Sequence, residues 1–182
     1  MRRDSLDGVT VLQSKFFTDD RGYFVETYNK SRFAEQTLRD VDLVQDNESC
    51  SRLGVLRGLH YQIEPYAQGK LVKAVVGTIF DVAVDLRRSS PTFADWMGIT
   101  MKAEDGVQVW IPEGFAHGFL ALSDEVRVAY KVTDFYAPEC ARTIRWDDET
   151  IGIDWPLDGI ARPILSSKDE DAPRMRTADL FE

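Results

Sequence analysis

Short runs of alternating side chains, cut at close intervals by glycine and proline, do most to narrow what this chain can fold into. In residues 22–28, Tyr23, Val25 and Thr27 alternate with Phe24, Glu26 and Tyr28. In residues 79–86, Phe80, Val82, Val84 and Leu86 alternate with Ile79, Asp81, Ala83 and Asp85. Successive side chains of a strand point to opposite faces, so a period of two predicts strands with two distinct faces. Similar β-prone runs occupy 41–49, 69–76, 96–101, 106–111, 118–122 and 126–135. One window, 30–39, reads as helix: Phe33 and Ala34 recur near Thr37 and Leu38, and Asn29 is placed to cap the start. Many short strands between turn residues predict a mainly all-β chain, built as a sandwich, jelly roll or barrel. Beyond Asp147, Pro156, Gly159, Pro163 and Pro173 predict a turn-rich, partly helical tail that wraps the barrel.

A length of 182 residues suits one domain, 1–182, with a core of useful size. The chain is 43% hydrophobic and 29% charged, the balance of a globular protein rather than a disordered, collagen-like or membrane one. Its net charge of −9 has the wrong sign for gripping a phosphate backbone, so nucleic acid is not an expected partner. No apolar run follows Arg2 and Arg3, and none is long enough to span a membrane, which makes the cytoplasm the expected compartment. Cys50 and Cys140 form no C-x-x-C pair and are expected to be buried free thiols.

A double-sheet architecture offers a mouth for a small ligand, and four polar clusters compete to line it. The first is Arg57-Gly58-Leu59-His60-Tyr61-Gln62, where a base beside a fixed cation suits an anionic, carbonyl-bearing substrate. An exposed hairpin with a solvated Arg57 fits those residues equally. The second surrounds Lys70, either an ammonium aimed at a developing oxyanion or, with Lys73, an ordinary surface lysine. The third centres on Tyr130, either a general acid or a packed phenol. The fourth, Ser166-Ser167-Lys168-Asp169, holds a carboxylate able to set a histidine tautomer, or else a plain loop. His60 and His117 are the only two histidines, too few for the about three or four converging ligands of a transition-metal barrel, so no metal is expected.

Taken in order, FFTDDRGYFVETYN, VQDNESCSRLGVLRGLHYQ, QGKLVKAVVGTIFDVAVDLRRSSPTF, VWIPEGFAHGFLALS, YKVTDFYAPE, WDDETIGIDWP and LSSKD resemble the dTDP-4-dehydrorhamnose 3,5-epimerases, a cupin-class jelly-roll family. The resemblance implies a cofactor-independent isomerase of dTDP-rhamnose biosynthesis acting on a dTDP-sugar. In it His60, oriented by Asp169, takes the proton next to the 4-keto group, Lys70 stabilises the enolate and Tyr130 reprotonates the opposite face. It further implies substrate contacts at Arg21, Glu26, Gln45, Asp46, Asn47, Arg57, His117 and Lys168, with Tyr136 stacking on thymine. It implies a homodimer with N-terminal strand exchange, and the β-prone segment 9–17 is compatible with an edge strand that needs a partner.

Two positions depart from the family pattern. Glu139-Cys140-Ala141-Arg142 lacks a further acidic residue often found there, and Phe135 stands where a tyrosine is common. Rival readings are a single 3- or 5-epimerase of another dTDP-4-keto-6-deoxy sugar, a non-catalytic sugar-nucleotide binding module and a metal-dependent cupin oxygenase.

Overall fold

The computed structural model describes residues 1–182 and is built almost wholly of strands. In chain order these are β1 (Thr10–Gln13), β2 (Phe16–Asp19) and β3 (Gly22–Val25), followed by helix α1 (Lys30–Thr37). Next come β4 (Gln45–Ser51), β5 (Leu56–Gln62), β6 (Lys70–Val76), β7 (Thr78–Asp85) and β8 (Trp96–Lys102). Then follow β9 (Val107–Ile111), β10 (Phe115–Ala121), β11 (Val126–Val132) and β12 (Ala141–Thr143), with a one-turn helix α2 (Ser167–Glu170) in the tail. One antiparallel sheet runs β1-β9-β6-β11-β4 and the other β12-β5-β10-β7-β8, while β2 and β3 form a separate hairpin. Apart from β7 and β8, neighbours in the two five-stranded sheets are not consecutive in the chain, the path of a jelly roll rather than of consecutive hairpins.

The sheets face each other across a core that includes Val72, Ile79, Val109, Phe115, Phe119 and Val128. A second core lies on the far side of the β5 sheet, where Phe80, Val82 and Val84 of β7 meet Ile144, Ile151, Trp155 and Met175 of the tail. Phe80 and Trp155 pack edge to face, their ring centroids 6.0 Å apart. The alternation in 79–86 is therefore real, yet both faces are buried because the tail covers the one that would otherwise meet water. Burying each such large side chain contributes about 1.5–3 kcal/mol, which is what holds an irregular tail in place.

The helix begins as expected, with Asn29 Oδ1 accepting the Arg32 N–H at 3.2 Å, and stops at Leu38, which turns left-handed at φ 56°. Residues 41–44 are not strand; Val41 and Leu43 pack on Leu12, Phe33, Leu71 and Trp110, and β4 starts only at Gln45. The segment 9–17 is not one edge strand: β1 pairs with β9 of its own sheet, and β2 with β3.

β5 was hidden in the sequence by its glycine. Gly58 has φ +137°, and a β-carbon there would lie 2.6 Å from the Gly118 Cα, so only glycine lets β5 and β10 run this close. The expectation of two buried thiols fails at Cys50. On β4, Gln45, Asn47, Ser49 and Ser51 turn inward, so Cys50 faces out and is exposed, while Cys140 is buried.

Candidate active site

Two facing walls build the site. β5 brings Arg57 and His60, and β10 sets His117 directly opposite His60 in the ladder. Across from them, β6 opens with Lys70, and Tyr130 on β11 pairs in register with Asn47 on β4. All six side chains line one cavity of about 390 Å³, joined by Gln45, Tyr136 and Lys168.

His60 Nε2 lies 2.5 Å from Asp169 Oδ1, with the imidazole partly open to the cavity and the carboxylate 3% exposed. The pair fixes the proton on Nε2 and leaves Nδ1 as the basic nitrogen. Burial pushes the His60 pKa below 6.5, with Lys70 and Lys168 adding to the push and Asp169 opposing it. Burial alone would raise the Asp169 pKa, but hydrogen bonds from His60 and Ser166 together with the nearby charges hold it below 3.8. Such a pair keeps a neutral base beside an ionised carboxylate at neutral pH.

Lys70 Nζ donates to the His60 carbonyl at 2.9 Å, tying one sheet to the other. Burial lowers its pKa to about 8, against the pull of Asp81. Tyr130 goes the other way: burial raises its phenol above 10, with Arg57 countering. Arg57 donates to Ser51 Oγ and to the Cys50 carbonyl, both at 3.0 Å, so a guanidinium from β5 is pinned on β4. Gln45 holds the other side of the mouth, donating to Asn47 Oδ1 at 2.9 Å and accepting the Tyr136 N–H at 3.1 Å. The cavity is lined by four cations, Arg57, Lys70, Arg142 and Lys168, and by no carboxylate, inside a chain of net charge −9. Such a lining draws an anion into the cavity against the net charge of the whole chain. Nowhere in the chain do three or more His, Cys, Asp or Glu side chains converge as a metal-holding group.

A histidine held by a buried aspartate, a cationic cavity and a phenol on the facing wall meet in a chain whose residues 3–177 match the family model for dTDP-4-dehydrorhamnose 3,5-epimerase. The chain belongs to that family. It is 51% identical over 179 residues to the dTDP-4-dehydrorhamnose 3,5-epimerase of Shigella flexneri, covering 98% of this chain and 97% of the relative. It is similar to the crystal structure of dTDP-6-deoxy-D-glucose-3,5-epimerase from Legionella pneumophila in complex with dTDP-4-keto-L-rhamnose. There the TM-score is 0.93 at 43% identity, over 97% of this chain and 94% of the other. It is also similar, with a TM-score of 0.88 at 34% identity over 97% and 88%, to a 3′-monoepimerase from Streptomyces bikiniensis in complex with dTDP-quinovose.

In this member of the dTDP-4-dehydrorhamnose 3,5-epimerase family, ten of the thirteen residues singled out by sequence line the cavity or, as Asp169 does, hold a residue that lines it. Three lie elsewhere. Arg21, at the tip of the β2–β3 hairpin, pairs with Asp19 at 2.6 Å. Glu26 pairs with Arg32 at 2.8 Å, and Asp46 faces out from β4 to bond Lys131 at 2.8 Å. Of the two departures from the family pattern, Ala141 is at the cavity wall beside Arg142, whose guanidinium is held by Asp179 at 2.8 Å, while Phe135 is 63% exposed.

Sequence reasoning missed Asp81, whose Oδ1 lies 2.7 Å from His117 Nε2 with both side chains buried. The signal was present: a lone acid in the apolar run 79–84 needs a buried partner, and His117 is the only polar side chain on β10. Ser166 and Arg142 stood in segments already singled out but were given no role, because the partner of each, Asp169 Oδ2 and Asp179, is set by the folded geometry.

Proposed function

We propose that this chain converts dTDP-4-dehydro-6-deoxy-D-glucose to dTDP-4-dehydro-L-rhamnose by epimerising carbons 3 and 5. The observation that carries this reading is the His60–Asp169 pair, 2.5 Å apart, on one wall of a cationic cavity whose other wall bears Tyr130. A 4-keto group acidifies both neighbouring carbons, so the chemistry runs on proton transfer alone and calls for no cofactor. His60 takes the C–H proton, and the bonding pair moves into the carbonyl to give an enolate. The Lys70 ammonium stabilises the enolate oxygen. The Tyr130 hydroxyl then delivers a proton to the same carbon from the opposite side, the carbonyl re-forms and the configuration inverts. Solvent exchange resets imidazolium and phenolate before the second carbon reacts. Base and acid each supply about 10²–10⁴-fold, and loss of an oxyanion donor costs about 10²–10³-fold.

Arg57 and Lys168 would meet the diphosphate, Gln45 and Asn47 the nucleoside and His117 the sugar, with Tyr136, 59% exposed, free to stack on thymine. We read residues 1–182 as one domain of a cytoplasmic homodimer. The β2–β3 hairpin supports the dimer: it carries Arg21 and Glu26 away from their own cavity and leaves Phe17, Tyr23 and Phe24 more than half exposed, as a surface meant for a second copy would be.

The likeness to a 3′-monoepimerase keeps a second reading in play, exchange at one carbon only. Proton NMR of the substrate in D2O separates the two. Deuterium at both carbons, with product trapped by a 4-keto reductase, is expected, while deuterium at one carbon would assign the single epimerase. His60→Ala and Asp169→Ala should abolish exchange and leave nucleotide binding intact; exchange at the wild-type rate in His60→Ala would remove it as the base.

A further inference from the structure

The carboxylate that holds His60 has a second oxygen, and that oxygen accepts the Ser166 hydroxyl. We propose that Ser166 is the positioning residue of the His60–Asp169 pair, its hydroxyl fixing the rotation of the carboxylate so that Oδ1 meets the imidazole. This rests on the reading of His60 as base and Asp169 as its orienter.

Ser166-Ser167-Lys168-Asp169 has the spacing of a capping box, in which the carboxylate three residues after the cap reaches back to the cap's own backbone N–H. Asp169 does otherwise. Its Oδ2 accepts the Ser166 hydroxyl at 2.9 Å, and its Oδ1 is the oxygen 2.5 Å from His60 Nε2. Ser166 Oγ meanwhile accepts the Asp169 N–H at 3.2 Å. One hydroxyl thus grips the same residue twice, by backbone and by side chain, and both carboxylate oxygens are committed. The grip is referenced to the strand that carries the base. Just upstream, Ile164 donates to the Gly54 carbonyl at 2.8 Å and accepts the Leu56 N–H at 3.0 Å, and Leu56 opens β5, which leads to His60. Serine donor, carboxylate and imidazole are therefore registered to one piece of backbone. Without the hydroxyl, Oδ2 would sit in a site 2% exposed with its donor gone, and the carboxylate would be free to turn away from His60.

Deuterium exchange into dTDP-4-dehydro-6-deoxy-D-glucose tests this with Ser166→Ala, Ser166→Gly and Ser166→Thr, run beside Asp169→Ala. Glycine caps a helix almost as well as serine but has no hydroxyl, so it separates capping from positioning and carries the test if the alanine variant folds poorly. Alanine and glycine should each lower kcat about tenfold or more, the effect of one hydrogen bond to a charged group, and leave KM within about twofold. Both should move the acid limb of kcat/KM to lower pH, because a carboxylate turned away from His60 no longer opposes the burial that lowers the imidazole pKa. Threonine should restore the rate. Wild-type kcat in Ser166→Gly, or an acid limb that stays in place, would overturn the proposal. Wild-type exchange in Asp169→Ala would instead remove the pair itself, and the role of Ser166 with it.

Discussion

His60 works as a base only while it is neutral, and Lys70 as an oxyanion partner only while it is charged. Burial and two lysines lower the pKa of His60 below 6.5, so the basic form persists to lower pH than in a free imidazole. The Lys70 ammonium is lost as pH rises through about 8, whereas Tyr130, raised above 10, keeps its proton throughout. A plot of kcat/KM against pH should therefore be bell-shaped, falling on the acid side below 6.5 and on the alkaline side near 8. Lys70→Arg, whose guanidinium does not titrate in this range, should abolish the alkaline limb even though it lowers the rate. Tyr130→Phe should slow inversion more than proton loss, giving exchange with retained configuration, as product analysis in D2O would reveal; equal loss of both would take the acid role from Tyr130. At this scale the sequence was legible where chemistry restricts residue type. Two histidines narrowed the bases to His60 and His117, Asp169 stood out as a carboxylate able to set a histidine tautomer, and the resemblance paired it with His60. It was not legible for Asp81 and Ser166, whose roles depend on a partner 36 residues away in one case and on the rotation of a neighbouring carboxylate in the other.

A strand is recognised by the side chains it alternates, and β5 withholds that signal because the site needs glycine there. Gly58 combines φ +137° with a 2.6 Å approach to the Gly118 Cα, so the residue that lowers strand propensity is the one that lets His60 stand opposite His117. Gly58→Ala should be destabilised by more than the about 1–3 kcal/mol of backbone strain, since the clash with β10 adds to it, and chemical denaturation measures this directly. Activity should fall with it, as the ladder that sets the two histidines shifts. β12 was unreadable for a different reason: its three residues are too few to display a period, and it exists because β5 offers them an edge. The strands predicted at 69–76, 79–86, 96–101 and 106–111 appear within two residues of their expected ends, because each has a side chain pattern that its ladder enforces, on both sides for β6, β7 and β9 and on one side for the edge strand β8.

The jelly roll is finished from outside. Trp155 and its neighbours seal the outer face of the β5 sheet, and the chain then turns back to deliver Asp169 to His60. Trp155→Ala should cost about 3–5 kcal/mol by opening a cavity against Phe80, and thermal unfolding would show it as a marked drop in Tm. Composition and turn residues announced a wrapping tail, but its docking depends on apolar residues at irregular spacing, which no period reveals. All twelve strands precede Asp169 in the chain, so during synthesis every strand leaves the ribosome before the carboxylate does. The parts of the container are thus translated first and the last part of the catalyst only later. A message cut short between codons 144 and 168 would encode every strand and no Asp169, so turnover reports that translation has passed beyond the last strand.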